Sequence, residues 1–262
     1  MAILLLLVLG IEEIEAQPGR RLQMRQGISV EEDVKIGQAT VEQIEADPKQ
    51  FPVLPPDQYP EAYAYLLRMV DRLLESPAME YRDLFKYREV KIIRDDDTLN
   101  AFCTAGGFIY VYTGLIKYLD TEDQLAGVMG HEIAHAEKRH VAQQMEKQQR
   151  QRLLKLGAVV ASPGRGELAA IFAGINLVSQ KYSRTNETES DDMSVVYLSG
   201  SKHYACNGAA GFFEKLAQEG GSREPPRWLS SHPDGSSRIR GINAKAQELG
   251  CSVEPSDSAD YR

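Results

Sequence analysis

The 262-residue sequence has only three cysteines, Cys103, Cys206 and Cys251. That is too few for a disulfide framework, and their spacing matches no zinc knuckle. One bridge would leave one thiol over; the simpler expectation is three small buried side chains. An excess of positive charge is also missing: 30 Lys and Arg stand against 38 Asp and Glu, a net charge of −8. A nucleic-acid-binding chain would carry a basic patch or stripe, so no nucleic acid is expected among its partners. Long apolar runs are scarce. "MAILLLLVLG" at the start has about the length of a secretory apolar segment and is too short to cross a bilayer. It lacks the preceding positive residues, and "IEA" at 14–16 is a poor cleavage site. The segment alone leaves export and a cytoplasmic location both open. Residues 1–20 are read as a leader or disordered arm, 21–250 as a single domain and 251–262 as a tail.

What is present is ordinary globular composition, 42% hydrophobic and 26% charged. Apolar spacing predicts helices over 31–46 and 59–76, with the proline-rich "DPKQFPVLPPDQYP" between them. "EVKIIR" at 89–94 reads as a strand. In "NAFCTAGGFIYVYTGLI" two short strands flank Gly106 and Gly107. One helix is expected from about 122 to 147, capped by Asp120 or Thr121. Two core helices or a hairpin are expected within 150–179, and further helices over 180–199 and 208–219. A glycine- and proline-rich loop then leads to a closing helix over 237–249. The class is α+β, mainly helical with a small β-sheet.

Three of the five histidines sit in "VMGHEIAHAEKRH". On a helix, His131 and His135 lie about 40° apart on one face, so both imidazoles can reach one zinc ion. Glu132 falls beside that face, where a carboxylate can deprotonate a water. His140 projects about half a turn away. It is expected to pack, or to make an outer hydrogen bond, rather than to ligate. The apolar flanks turn the histidines inward, and buried histidines need partners. A third ligand must come from elsewhere. In "NETESDD", Glu187 and Asp191 share one helical face: one could ligate while the other orients a ligand histidine. Glu189 points elsewhere. A solvated acidic face would give the same spacing.

"NAFCTAGGFIYVYTGLI", "DQLAGVMGHEIAHAEKRH", "YSRTNETESDD" and "SSHPDGSSRI" occur in that order. The set resembles the zinc metalloendopeptidases of the CAAX-prenyl-protease-like and HtpX-like superfamily, in its BepA-like and OMA-type branch. The resemblance covers roughly residues 30–248. It implies a zincin-like metallopeptidase domain with the sheet beside the active-site helix and one zinc ion per chain. It implies His131, His135 and Glu187 as metal ligands, Glu132 as catalytic base and Asp191 in support. His232 matches a histidine of the family's "HP" loop, and Arg238 the arginine after it. Ser190 and Ser194 stand where the family usually has alanine and glycine; both are small, so similar helix packing is expected. Relatives are often exported, which favours a periplasmic or cell-envelope location.

The expected function is hydrolysis of internal peptide bonds in unfolded or extended proteins, in envelope protein quality control. Membrane-associated partners are conceivable. His232 or Arg238 would stabilise the oxyanion. The strand Gly107, Phe108, Ile109, Tyr110 and Val111 would pair with substrate along its edge. His232, on a loop rich in Gly, Ser and Pro, could instead fill the open zinc position and hold the enzyme latent. The alternative is a non-catalytic, chaperone-like binding module with a structural zinc, in which Glu132 would have no task.

Overall fold

A computed structural model describes residues 27–155, 181–219, 227–232 and 235–256. The expected leader, most of the 150–179 segment for which two core helices or a hairpin are expected, and the last six residues lie outside the described residues. Helix α1 runs Val30–Glu45 and α2 Pro60–Leu74, followed by strand β1, Val90–Ile93. Strand β2 is Ala101–Cys103, a 3-10 turn is Ala105–Gly107, and β3 is Ile109–Tyr112. Then come α3 (Thr113–Tyr118), α4 (Glu122–Glu137) and α5 (His140–Lys155). Helices α6 (Arg184–Ser201), α7 (Gly208–Gln218), α8 (Arg227–Ser231) and α9 (Gly235–Leu249) complete the described chain. The mainly helical α+β class expected from the sequence is what the structure has. Helices α3 and α8 were not expected; both are too short to show a helical period.

The sheet order is β1-β3-β2, with β1 parallel and β2 antiparallel to β3. This corrects the expected substrate strand. Residues 109–111 of the segment from Gly107 to Val111 lie in the central strand, paired on both sides, and offer no free edge. The outer strands are β1, bridged on its far side by Val53, and β2, which has no second strand partner among the described residues although its Ala101 and Cys103 are buried. Phe102 pairs with Tyr110 inside the strand, and on either side of it Tyr112 N–H donates to the Asn100 carbonyl and Thr104 N–H to the Phe108 carbonyl. By alternation, Ala101 and Cys103 turn their backbone groups away from β3. Both strands were legible as apolar runs, but pairing order is not a property of either run.

Alternation along β3 sorts two cores. Ile109 and Val111 join the main core with α2, α4 and α6. Tyr110 and Tyr112 face Val41 and Ile44 of α1 across a second, smaller core. Helix α1 comes close: a Cβ at Gly106, where φ is 70°, would fall 2.5 Å from Val34 Cα.

Helix α4 is buried on nearly every side, and Gln124 alone in it is not. A helix buried all round must be apolar or paired at every polar position. Thr121 caps it by accepting from Gln124 N–H. Ser194 of α6 is 1% exposed and its hydroxyl donates to the Gly127 carbonyl at 2.8 Å. A side chain at Gly127 would meet the Ala209 nitrogen at 2.0 Å. Small residues thus let α6 and α7 close on α4.

The single helix expected over 122–147 is two. Arg139 adopts φ 56°, which ends α4 and restarts the chain as α5. Left-handed backbone is disfavoured for arginine, and the cost is offset by tertiary bonds. Its guanidinium pairs with Asp33 and donates to the Ile28 carbonyl, both at the start of α1. The cysteine expectation also needs correcting: Cys206 and Cys251 form a disulfide, and Cys103 is the buried free thiol. The bridge ties the α6–α7 connection to the end of α9.

Candidate active site

Four elements supply the site. His131, Glu132 and His135 come from α4, and Glu187 and Asp191 from α6. His232 follows directly on α8, and Arg238 lies on α9. The capping box between Ser183 and Asn186 starts α6 one turn ahead of Glu187 and fixes which face it presents.

His131, His135, Glu187 and His232 each point one donor atom at a common centre, all within 4.8 Å of one another. His131 Nε2 and His135 Nε2 are 3.0 Å apart. Glu187 lies 3.6 Å from each of those nitrogens, through Oε2 and Oε1 respectively. Donors at ~2.0–2.1 Å from a tetrahedral zinc would be about 3.3–3.4 Å apart. The observed spacings bracket that edge, and imidazoles with a carboxylate are a donor set zinc favours. Burial pushes both ligand-type imidazoles well below the ordinary histidine range, so they are neutral with lone pairs free to bind. Burial also pushes Glu187 up to about 8, although the Arg238 charge beside it pulls the other way. A cation at the centre would reverse that penalty.

The outer nitrogens of the two histidines are held. His131 Nδ1 is 2.9 Å from Asp191 Oδ1, which turns Nε2 to the centre. His135 Nδ1 is 2.8 Å from His140 Nδ1, and His140 Nε2 is 3.1 Å from Glu189 Oε2. His140 is thus an outer partner rather than a ligand, but it reaches His135 by a route its spacing on one helix did not offer. The break at Arg139 brings it back under His135; on one continuous helix it would point about 140° away. Glu189 faces away from the centre yet reaches the site through His140. Ser190 is fully buried against the same His140 ring.

Arg238 sits behind the centre. Its Nε donates to Asp191 Oδ2 at 2.7 Å and its Nη1 lies 2.9 Å from Glu187 Oε2. Its Nη2 also lies 3.1 Å from His131 Nδ1, so it faces the two carboxylates and the His131 ring rather than an open position for an oxyanion. His232 Nδ1 is 3.3 Å from His131 Nε2 and 3.1 Å from Glu187 Oε1. Its other nitrogen is 3.5 Å from Glu132 Oε1.

Glu132 is 1% exposed, and its Oε1 accepts from Trp228 Nε1 at 2.8 Å. Burial raises its pKa, against the pull of His232 and this hydrogen bond. It opens on a narrow cleft lined by Thr40, Asn100, Phe102, Cys103, Tyr182 and His232 among others. The cleft volume of about 20 Å³ has room for roughly one water-sized molecule. Sequence reasoning missed Trp228, Tyr182 and the cleft-lining residues of α1 and β2. Tyr182 stacks on His135 with ring centroids 3.8 Å apart. The signal for Trp228 was there: the one tryptophan lies four residues before His232, one helical turn.

Comparison with known proteins places this geometry. The model of peptidase family M48 matches residues 60–246. A putative beta-barrel assembly-enhancing protease of Vibrio cholerae is 31% identical over 212 residues, 72% of this chain and 44% of that protein. The beta-barrel assembly-enhancing protease of Escherichia coli K12 is 34% identical over 165 residues, 59% of this chain and 34% of that protein. The mitochondrial metalloendopeptidase OMA1 of Schizosaccharomyces pombe is 31% identical over 197 residues, covering 74% and 56%. The chain spans between a third and just over half the length of these relatives. The family match runs from α2 into α9 and takes in every residue of the buried donor cluster: the chain belongs to peptidase family M48, in the branch of the beta-barrel assembly-enhancing and OMA1-type metalloproteases.

Proposed function

We propose that the protein is a zinc-dependent metalloendopeptidase that cuts internal bonds of extended or unfolded proteins. The single observation that carries this reading is Glu132. A structural zinc site needs no carboxylate base beside its ligands, and this one is buried at the centre's edge with a cleft in front of it. That argues against the chaperone-like module. His131, His135 and Glu187 would hold one zinc ion, which would supply Lewis-acid activation of water and of the scissile carbonyl.

The remaining roles belong to the chain. Glu132 accepts the water proton at Oε2, the oxygen Trp228 does not hold, and delivers it to the leaving nitrogen. Asp191 keeps His131 in the tautomer with Nε2 free, and Arg238 keeps Asp191 and Glu187 in place. His232 Nε2 is the donor for the developing oxyanion. Once the cleft opens, substrate would pair with the outward backbone groups of Ala101 and Cys103 on β2, both buried in this state, which would select extended chains by backbone rather than by sequence. Chelation should abolish casein cleavage, and zinc should restore it. Cleavage that survives full metal removal would refute the reading.

A second reading concerns regulation. His232 Nδ1 lies against His131 and Glu187 as a fourth donor, and the cleft is too small for a peptide. Both features support a latent state in which His232 caps the site. His232→Ala should then raise basal cleavage; lower activity would count against latency and for the oxyanion role, and unchanged activity would count against both.

An envelope location is part of the proposal. It is supported by the names of the bacterial relatives and by the Cys206–Cys251 bridge, which suits an oxidising compartment. Quality control of β-barrel assembly is the process those names suggest. Among the described residues no helix is long and apolar enough to cross a membrane.

A further inference from the structure

We infer that Trp228 is a positioning residue for the base Glu132, an inference that rests on the proposed peptidase reading. The indole N–H donates to Glu132 Oε1 at 2.8 Å, and Trp228 is 1% exposed. Among the described residues Glu132 Oε2 has no hydrogen-bond partner. One oxygen is therefore held and the other is left for the reacting water. Without the indole, a carboxylate in a narrow buried cleft would rotate and spread its proton-accepting lone pairs over both orientations.

An indole is suited to this task because it only donates. It bonds Glu132 whether or not the carboxylate carries the proton, and it never takes that proton itself. A histidine in the same place would compete for it.

Trp228 is itself fixed from several sides. Its backbone N–H reaches the Leu99 carbonyl at 3.3 Å, just ahead of the edge strand β2. Its ring stacks on His232 with centroids 4.4 Å apart and planes 18° apart. The Arg238 guanidinium lies 4.7 Å over it, and Phe212 and Phe213 pack against it at 5.2 and 5.4 Å. The orientation of the base is thus set by the same short helix, α8, that leads into His232. Through Leu99 it is also referred to the strand on which substrate is proposed to lie.

The test uses the fact that Trp228 is the chain's only tryptophan. In zinc-loaded protein labelled with ¹⁵N-tryptophan, one indole N–H signal is expected, shifted by its carboxylate partner. Glu132→Gln should move it. Trp228→Phe should lower kcat roughly 10- to 100-fold with KM and zinc content unchanged. Should that variant fold poorly, the benzothienyl analogue of tryptophan, with the same outline and no N–H, should show the same kcat loss. An indole signal indifferent to Glu132→Gln would overturn the inference, as would full kcat in either variant. A loss confined to zinc content would also overturn it. If Trp228→Phe is fully active while Glu132→Gln is dead, the positioning role alone fails. If Glu132→Gln is as active as wild type, the peptidase reading itself fails.

Discussion

A histidine that is to bind a metal through Nε2 must keep its proton on Nδ1, and Asp191, 2.9 Å from His131 Nδ1, is placed to enforce this. Asp191→Asn keeps the shape but can present an amide N–H where an acceptor is needed. It also frees Arg238 from its bidentate partner. Zinc affinity should fall roughly 10- to 100-fold, measured by competition with a chromophoric chelator; unchanged affinity would remove Asp191 from the site. At this scale the sequence was most informative where spacing and chemistry coincide. His131 and His135 are bound to one helix face with Glu132 beside it, so their convergence was legible. The choice between Glu187 and Asp191 was not, since both occupy one face; only the position of α6 against α4 separates the residue facing the centre from the one facing the ring behind it. Arg238 could be found from its motif, but its engagement with two carboxylates depends on how α9 crosses α6.

Among the elements, β2 and the α4–α5 break decide what the site can do. If substrate adds to the edge of β2, its alternate backbone N–H groups carry the affinity. Peptides N-methylated at those positions should show KM raised several-fold or more, while side-chain changes at the same positions should matter less. Equal KM for methylated and unmethylated peptides would exclude edge pairing. The glycines and aromatics of 106–112 marked a strand, and what Gly106 lies close to is helix α1. Which strand lies outside was hidden, because strand order is settled by long-range packing on both faces. The break at Arg139 was equally hidden. The stretch from 122 to 147 contains neither proline nor a glycine after 130, and its interruption comes from Arg139 reaching Asp33 and Ile28 more than a hundred residues away.

On the scale of the molecule, two ties hold the site's outer elements. Helix α1 lies ahead of the family-matched segment, yet Thr40 lines the cleft and Arg139 anchors its start. Arg139→Ala should therefore reduce both stability and activity, read by thermal unfolding and casein cleavage. The Cys206–Cys251 bridge closes a segment of 45 residues that contains α7, α8 and α9. Its loss should cost about 2–4 kcal/mol, read from urea unfolding with and without reductant; equal midpoints would show the bridge to be dispensable. The α+β class followed from the order of helical and strand patterns. The disulfide did not, since three cysteines far apart in sequence carry no pairing signal until α9 folds back past the α6–α7 connection.

The central claim is that Glu132 acts as a base beside a metal held by His131, His135 and Glu187. Zinc content and casein hydrolysis, measured together on wild type and Glu132→Gln, test it most directly. The account predicts about one zinc per chain in both proteins, with cleavage in wild type and a loss of roughly 10²- to 10⁴-fold in the variant. Cleavage that persists in Glu132→Gln with its zinc intact would contradict it.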